Sequence, residues 1–407
     1  MRVIGIIAEF NPFHNGHSEL IKKAREAVGD PRAVTMSVMS GPFVQRGLPS
    51  ILPKELRAAS ALKCGIDVVL EIPFTFACAP SERFARGGIE LLYRTGVVTD
   101  IAFGVDCKDP KILPELADVS PDDNVLKECL SSGMSFPAAR SNAVISALGD
   151  ISDEKRELVK DALRRPNSIL ALDYIREIRA MKAGFKIHMI KREGGSSATA
   201  IRSDIYGMGS PLSAAALADK LTGSIPDRAL AEYLSGIGKD FHMADLDRYA
   251  RDIISETYRD TDLSGSAYMS DGLDGHIRNT LKAVKATDFA SVSAALNTKH
   301  FTMPRIYRGI TSALLGQRAT YVEEEKHVQY IRVLGFTREG RYCLKIMGKC
   351  ARLPVIHNCS DALELFSSSD RLKKQFELDI AANDLQADYL GTERGLQWKI
   401  PPVMVTK

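Results

Sequence analysis

Two histidines near the start of the chain, His14 and His17, have the spacing and the setting of a phosphate-binding site. They follow a short apolar strand predicted over residues 3–7, and apolar residues at helical spacing follow from Leu20. A glycine-containing loop between a strand and a helix start offers backbone N–H groups and the positive end of the helix dipole to an anion. The imidazoles add two donors, so this stretch predicts chemistry at a phosphate of ATP.

Two other roles are compatible with this histidine pair. The side chains could simply cap the helix, and a strand followed by glycine and a helix is a weak signal by itself. A zinc site is the second alternative, but no cysteine or carboxylate stands at ligand spacing beside His14 and His17. The sequence therefore predicts no metal ligands.

The elements around this loop alternate between strand and helix patterns, which is typical of βα units on a parallel sheet. The helix over residues 53–64 is expected to turn Lys54, Glu55 and Arg57 outward. Ligands of such sheets bind at the carboxyl ends of the strands. The other predicted elements are strands over 33–38, 67–72, 101–103 and 185–190, and helices over 82–95, 154–165 and 168–183.

The second half of the chain has a different pattern. It is mainly helical from 211 to about 316, and a tail of strand, helix, strand and helix follows over 330–387. We therefore predict an α/β domain over residues 1–205, with a Rossmann-like parallel sheet. A mainly helical region with a small α/β tail is predicted over 206–407.

Composition restricts the class of protein. The net charge of +3 over 407 residues argues for no nucleic-acid partner by itself, so any RNA surface requires local clusters of Lys and Arg. Seven scattered cysteines without a CxxC pair suit a reducing compartment, and a cytoplasmic protein is expected. The apolar run at the N-terminus is too short for a signal peptide or a membrane span, so no membrane partner is predicted.

Several strings resemble known families. Phe13-His-Asn-Gly-His17 resembles the HxGH motif of the nucleotidyltransferase superfamily. Longer strings over residues 6–17, 40–47, 84–90 and 330–336 resemble the bacterial tRNA(Met) cytidine acetate ligases, so the resemblance covers nearly the whole chain. One departure stands in Ser40-Gly-Pro-Phe-Val-Gln-Arg-Gly47, where Pro42 replaces the family's Asn and removes a donor.

This resemblance implies a ligase that forms acetyl-adenylate from acetate and ATP. The acetyl group then passes to the exocyclic amine of the wobble cytidine of elongator tRNA(Met), which gives N4-acetylcytidine. Mg²⁺ is expected because the charge of the triphosphate must be neutralised. Two alternatives remain: a small-molecule adenylyltransferase, and a non-catalytic RNA-binding protein that retains the nucleotidyltransferase fold.

The resemblance also implies the site residues. His14 and His17 are the predicted catalytic residues. Three of the predicted nucleotide contacts have an alternative structural role. Gly104 could be a turn glycine, Asn167 a helix N-cap, and Arg192 a solvated side chain. Ser197, Thr199 and Arg202 stand in a turn that resembles the second motif of the superfamily, and a capped helix with a surface arginine is the alternative there. The predicted ATP-binding residues are Ile7, Ala8, Glu9, Phe10, Asn11, Pro12, Phe13, His14, Asn15, Gly16, His17, Ser18, Glu19, Leu20, Gly104, Asn167, Arg192, Ser197, Thr199 and Arg202.

A group of cations in the helical region, interleaved with aromatic residues, predicts a surface that could follow an RNA backbone. A solvated helix face is an equally good interpretation. The group consists of Lys282, Lys285, Lys299, Arg305, Arg308 and Arg318, with Phe301 and Tyr307.

Overall fold

The computed structural model describes residues 1–192, 194, 197–208, 213–237, 243–259 and 262–406. Its strands are β1 Val3–Ala8, β2 Val34–Ser40, β3 Val68–Ile72, β4 Asp100–Val105, β5 Lys186–Lys191, β6 Ile331–Thr337, β7 Val355–Ile356 and β8 Val403–Val405.

Helices separate most of these strands. In the first half they are α1 Asn15–Val28, α2 Lys54–Lys63, α3 Phe74–Ala77, α4 Ser81–Arg94, α5 Leu113–Ala117, α6 Asp123–Ser131, α7 Phe136–Ala147, α8 Asp153–Arg164 and α9 Pro166–Ala180. In the second half they are α10 Ala198–Tyr206, α11 Ala214–Leu221, α12 Asp227–Ile237, α13 Leu246–Tyr258, α14 Leu273–Ala283, α15 Phe289–Leu296, α16 Met303–Leu314, α17 Ala319–Glu324, α18 Arg338–Cys350, α19 Asp361–Phe366 and α20 Asp370–Leu390. Within the described ranges, no helix is long and apolar enough to cross a membrane.

All eight strands belong to one sheet with the order β5-β4-β1-β2-β3-β6-β7, and β8 also pairs with β6. The pairs among β1 to β5 are parallel, as the alternating pattern predicts. Every residue of β2 and β3 is buried, including the polar Thr35, Ser37, Ser40 and Glu71, as expected for inner strands of a sheet covered on both faces. The predicted α/β fold with a mainly parallel sheet is confirmed.

The C-terminal tail extends this same sheet instead of forming a separate one. Strand β6 lies antiparallel to β3, with Val68 opposite Phe336 and Glu71 opposite Arg332. Strands β7 and β8 then pair with β6 in parallel. Sequence patterns give β6 and β7 but not β8, and they do not give the partners of these strands, because strand pairing depends on residues far apart in the chain. The domain boundary near residue 205 stays a prediction.

Helix α2 differs from its prediction in the orientation of its charged residues. Lys54 and Arg57 are buried, at 1% and 0% exposed, and were expected to point outward. Lys54 Nζ lies 2.7 Å from both carboxylate oxygens of Glu71, so its charge is paired inside the core. Arg57 donates to backbone carbonyls of neighbouring loops. Helical periodicity does not distinguish these buried charged residues from solvent-exposed ones, because the groups that pair with them lie on other elements.

The parallel strands bring four loops to one edge of the sheet. A loop over residues 9–14 follows β1, and the segment 41–50 follows β2. Asp106 follows β4, and Arg192 follows β5. The carboxyl ends of parallel strands share one edge, so these four segments surround the position where such sheets bind ligands.

Candidate active site

His14 and His17 form a reciprocal cap at the start of α1. The Nδ1 atom of His14 accepts from the N–H of Gly16 at 3.1 Å, and the Nδ1 atom of His17 accepts from the N–H of His14 at 3.2 Å. The capping role, considered as an alternative from the sequence, is therefore real. It uses only one nitrogen of each ring, so it leaves the second nitrogen of both rings for another partner.

The bonding pattern fixes the tautomer that we assign to each ring. Because both Nδ1 atoms accept hydrogen bonds, the ring hydrogen belongs on Nε2 of His14 and of His17. Burial, with the charges of Arg192 and Arg202, lowers the pKa of His14 to about 4. Burial and the neighbouring His14 also lower the pKa of His17 well below its usual value. Both rings are neutral at pH 7, and each presents one N–H donor.

Aromatic packing holds the two imidazoles side by side. Their ring centroids lie 3.9 Å apart, with 31° between the planes. The ring of Phe10 contacts the His17 ring edge-on, at 5.0 Å between centroids, and Phe13 packs on it from 5.3 Å. The N–H of Phe13 donates to the hydroxyl of Tyr233 at 2.7 Å, which ties the loop to α12. The rings are therefore positioned before any ligand arrives.

The backbone amides at the start of α1 are not free, contrary to the expectation from the sequence. Asn15 N–H donates to the carbonyl of Ser224 at 3.1 Å, and Gly16 N–H is used by His14. The N–H groups of His17 and Ser18 donate to the His14 carbonyl. The donors left for a phosphate on this side are the Nε2–H groups of the histidines and nearby guanidinium groups.

Helix α10 brings the second motif to the same loop. Arg202 donates from one Nη to the carbonyl oxygen of Asn11 at 2.6 Å and from the other to Thr199 Oγ1 at 3.2 Å. Ser197 caps α10 by accepting from the N–H of Ala200 at 3.1 Å. Arg202 thus contacts the histidine loop, Thr199 contacts Arg202, and Ser197 is the N-cap of the same helix. Their role at a phosphate stays a prediction. Ser196, in the same string, lies outside the described residues.

Arg192 crosses the end of β4. A Cβ atom added to Gly104 would lie 3.3 Å from Arg192 Cγ, and one added to Gly16 would lie 3.7 Å from an Arg192 Nη. Gly104 lies inside β4 and not in a turn after it, so the turn-glycine alternative is wrong. The absence of a side chain at Gly104 lets the stem of Arg192 pass over the strand toward the start of α1.

Asn167 lies in the first turn of α9 and is not its N-cap, because Arg165 occupies that position. Its side-chain amide donates to Asp106 Oδ2 at 3.0 Å. The other oxygen of Asp106 accepts from the N–H and the hydroxyl of Ser168, so Asp106 caps α9 from the end of β4. A cavity of about 400 Å³ lies beside this contact, lined by Asp106, Lys108, Glu157, Asp161, Arg164, Arg165 and Pro166. No contact with the histidines is found for Asn167 in the described part of the chain.

The contacts that hold the loop escaped prediction. Arg57 donates to the carbonyls of Glu9 at 2.6 Å and Leu52 at 3.2 Å, and also to that of Gly41. Asn11 Oδ1 accepts from the N–H of Ile51 at 2.8 Å. The only sequence signal was an arginine in a helix that also carries Lys54, Glu55 and Lys63, which a surface position explains equally well.

The predicted RNA-facing set is exposed only in part. Arg308 is 9% exposed and donates to the carbonyl of Gln45 at 3.2 Å, so its place in that set is wrong. Arg305 pairs with Asp271 at 2.6 Å. Tyr307 stacks on Phe289 with 27° between the rings. The exposed members of the set are Lys282, Lys285, Lys299 and Arg318.

No group of three or more His, Cys, Asp and Glu side chains, among the residues with described positions, is arranged to hold a metal ion. A divalent cation at this site would therefore take most of its ligands from the substrate and from water.

The chain is similar to known proteins over nearly its whole length. The model of the HIGH Nucleotidyl Transferase family matches residues 1–395. The tRNA(Met) cytidine acetate ligase of Thermosipho melanesiensis is 33% identical, over 95% of this chain and 94% of its own. The chain belongs to the tRNA(Met) cytidine acetate ligase family. The ligase of Fervidobacterium nodosum is 34% identical over 88% of this chain and 84% of its own.

Solved structures of the same family have the same fold. The crystal structure of Thermotoga maritima TmcAL bound with alpha-thio ATP has a TM-score of 0.85 and 29% identity, and each chain is covered completely. The apo form of the same protein gives 0.86 and 28%, again over 100% of both chains. The predicted family and fold class are confirmed.

Proposed function

We propose that this chain is an ATP-dependent tRNA(Met) cytidine acetate ligase. It forms acetyl-adenylate and acetylates the wobble cytidine of elongator tRNA(Met) to N4-acetylcytidine. One observation carries the proposal: two neutral imidazoles, with ring centroids 3.9 Å apart, present Nε2–H donors near Arg192 and Arg202, at the carboxyl edge of the sheet. The names of the family members and the alpha-thio ATP in the related structure support the same nucleotide and acceptor.

In the first step, a carboxylate oxygen of acetate attacks the α-phosphorus of ATP. The bond between that phosphorus and the bridging oxygen breaks, and pyrophosphate leaves. Protein groups contribute by positioning the reactants and by stabilising charge. We assign the Nε2–H donors of His14 and His17 to the oxygens of the α-phosphate. Arg192 and Arg202, with Ser197 and Thr199, hold the remaining phosphates.

Before ATP binds, a neutral imidazole suits the role of hydrogen-bond donor to the α-phosphate better than a protonated one. A neutral Nε2–H donates a hydrogen bond and does not compete with the guanidinium groups for the phosphate charge. Each ring also keeps its Nδ1 bond to the loop backbone, so donation to substrate does not require the cap to open. The structure of the loop is thus compatible with binding and catalysis at once.

In the second step, the exocyclic amine of cytidine attacks the acetyl carbonyl carbon of the mixed anhydride. The bond from that carbon to the phosphate oxygen breaks, AMP leaves, and the amine loses one proton. We propose that Mg²⁺ enters as the counterion of ATP, with ligands from phosphate oxygens and water. We further propose acetate as the acid and the cytoplasm as the compartment.

We propose that residues 206–407 recognise the tRNA. Helix α18 gives the best support, because Arg338, Arg341, Lys345 and Lys349 share one exposed face of it. Tyr342, 63% exposed, lies among these cations. Within the described residues these four cations have no ion pair. Unpaired positive charge with an exposed aromatic ring fits a nucleic-acid backbone and its bases.

The deciding experiment is ATP–pyrophosphate exchange with and without acetate, followed by acetyl transfer to tRNA(Met) transcripts. We expect exchange only with acetate, and N4-acetylcytidine only at the wobble position. Exchange that needs a phosphorylated small molecule would support the adenylyltransferase alternative. A protein that binds tRNA without any exchange would support the non-catalytic alternative.

A further inference from the structure

Segment 41–50 forms a tight hairpin after β2, here called the 41–50 hairpin. The N–H of Val44 donates to the carbonyl of Leu48 at 3.0 Å, and that of Gly47 donates to the carbonyl of Val44 at 2.8 Å. The base is closed by Ser50 N–H, which donates to the carbonyl of Pro42 at 2.8 Å. Arg46 stands at the tip of this turn and is exposed.

The tip of the hairpin is fixed on one side by α16. The hydroxyl of Thr311 donates to the carbonyl of Gly47 at 2.6 Å, and Arg308 donates to the carbonyl of Gln45 at 3.2 Å. Gly47 has a φ of +93°, and a Cβ atom there would lie 2.4 Å from the backbone nitrogen of Arg308. Only glycine fits this contact, so the turn lies directly against the helix backbone.

On its other side the hairpin is attached to the histidine loop. The N–H of Gln45 donates to Glu9 Oε1 at 2.7 Å. Two residues beyond Glu9, the carbonyl of Asn11 accepts from Arg202. The backbone of the hairpin beside Arg46 and the side chain of Arg202 are therefore both attached to residues 9–11, which places the two arginines in the same part of the site.

Arg46 has no hydrogen bond or ion pair with any residue whose position is described, and it faces a like charge. Burial lowers the pKa of Arg202, the carboxylate of Glu9 opposes this effect, and the charge of Arg46 lowers that pKa further. Two guanidinium groups in one part of the site repel each other, and an anion bound between them would relieve that repulsion. Arg192 adds a third cation beside Gly16, at the start of α1.

We propose that Arg46 binds the β- and γ-phosphates of ATP together with Arg202, and retains the pyrophosphate as it leaves. This inference rests on the proposed function. The β- and γ-phosphates are the best fit for Arg46, because Arg202 on the α10 motif is assigned to these phosphates. The histidines are assigned to the α-phosphate. A polyphosphate also carries enough negative charge to satisfy both guanidinium groups at once.

The test compares Arg46→Ala and Arg46→Lys with a control, Arg32→Ala, which removes an exposed arginine from the loop before β2, at the other end of that strand. Acetate-dependent ATP–pyrophosphate exchange is measured with ATP, pyrophosphate and acetate varied separately. We expect Arg46→Ala to raise the KM values for pyrophosphate and ATP about tenfold or more, on the scale of losing a charge-assisted hydrogen bond, and to leave the acetate KM unchanged. Arg46→Lys should lie between Ala and wild type, and the control should match wild type.

Other results would overturn the assignment. A rise in the acetate KM alone would make Arg46 a contact for the acid. Unchanged exchange with a raised KM for tRNA would make it a contact for the acceptor. Calorimetric binding of pyrophosphate to each variant separates this inference from the proposed function. If wild type shows no acetate-dependent exchange, the function fails, and weaker pyrophosphate binding by Arg46→Ala would still support the role of Arg46.

Discussion

Arg202 on α10 donates a hydrogen bond of 2.6 Å to the backbone carbonyl of Asn11, in the loop that follows β1. This single contact joins the two motifs that resemble the nucleotidyltransferase superfamily. A side chain that could reach a phosphate therefore also sets the distance between the two halves of the site. Substitution of Arg202 consequently affects both substrate affinity and the position of the histidine loop.

We predict that Arg202→Ala raises the KM for ATP at least tenfold, because a charged partner of the phosphates is lost. Arg202→Lys keeps the charge but not the forked geometry, and should recover only part of the affinity. The affinity for tRNA should stay within about twofold of wild type. Normal ATP kinetics together with weak tRNA binding would move Arg202 to the RNA surface.

The two nitrogens of His14 allow its capping and chemical roles to be separated. His14→Ala removes both, so adenylate formation should fall roughly 10²-fold or more, with a loss of stability of about 1 kcal/mol from the missing cap. His14→Asn keeps a good N-cap acceptor and removes the ring Nε2–H, so its stability should stay near wild type while its activity falls.

Single-turnover adenylate formation and thermal unfolding of both His14 variants, and of His17→Ala, measure these effects. His300→Ala, at an exposed histidine, is the control. If His14→Asn kept wild-type rates, the histidine would act only as a cap.

The lowered pKa of His14 predicts how stability depends on pH. Its pKa is about 4 in the folded protein, against 6.5 for an ordinary histidine. Between these values the unfolded chain binds more protons, so stability falls as the pH falls from about 6.5 to 4 and does not change from this source above 6.5. Thermal unfolding across this range should show a shallower slope in His14→Asn than in wild type. Identical slopes would mean that this group does not titrate as described.

Nucleotide binding should raise the pKa of both histidines, because phosphate charge favours the protonated ring. Ring-proton NMR titration with and without ATP measures the shift directly. Arg202→Ala should show a smaller shift at equal ATP concentration, since less nucleotide is bound. The absence of any shift at saturating ATP would place the phosphates away from the imidazoles.

Charge reversal on α18 tests the proposed RNA surface. Arg341→Glu combined with Lys345→Glu should weaken tRNA binding and make its dependence on salt concentration shallower, because fewer phosphates are contacted. Acetate-dependent exchange should be unchanged, since none of the candidate site residues lies on α18. Charge reversal at Lys282 and Lys285 provides the comparison, because both belong to the RNA surface that the sequence predicts in the helical region. If only the second pair weakens binding, the RNA surface lies on the helical region and not on α18.

Much of the site was predictable because it is local in sequence. The histidine loop, the α10 turn and Arg192 each lie next to a strand end that apolar runs reveal, and the parallel sheet then brings them to one edge. The supports of the loop were not predictable. Tyr233 and Arg57 act through bonds to backbone atoms of distant segments, and nothing in their local pattern differs from an ordinary helix.

Asn167 and Arg308 are two residues whose positions were predicted wrongly, for the same reason. Asn167 has the residue type of a cap but lies inside the helix, because Asp106 supplies the cap from another segment. Arg308 has the pattern of a surface cation, but the 41–50 hairpin covers it and uses it as a donor. In both cases the role of the residue depends on a contact with a segment that is distant in the sequence, so the local pattern does not predict it.

The pairing of β6 with β3 has a consequence for synthesis on the ribosome. The hydrogen-bonding edge of β3 emerges early, but its partner, Ile331–Thr337, is translated only after the whole helical region. Until then the nascent chain carries an open strand edge of the kind that pairs with other chains. Termination anywhere before β6 would leave that edge exposed, so premature stop products of this protein are expected to aggregate rather than persist as a soluble nucleotide-binding fragment.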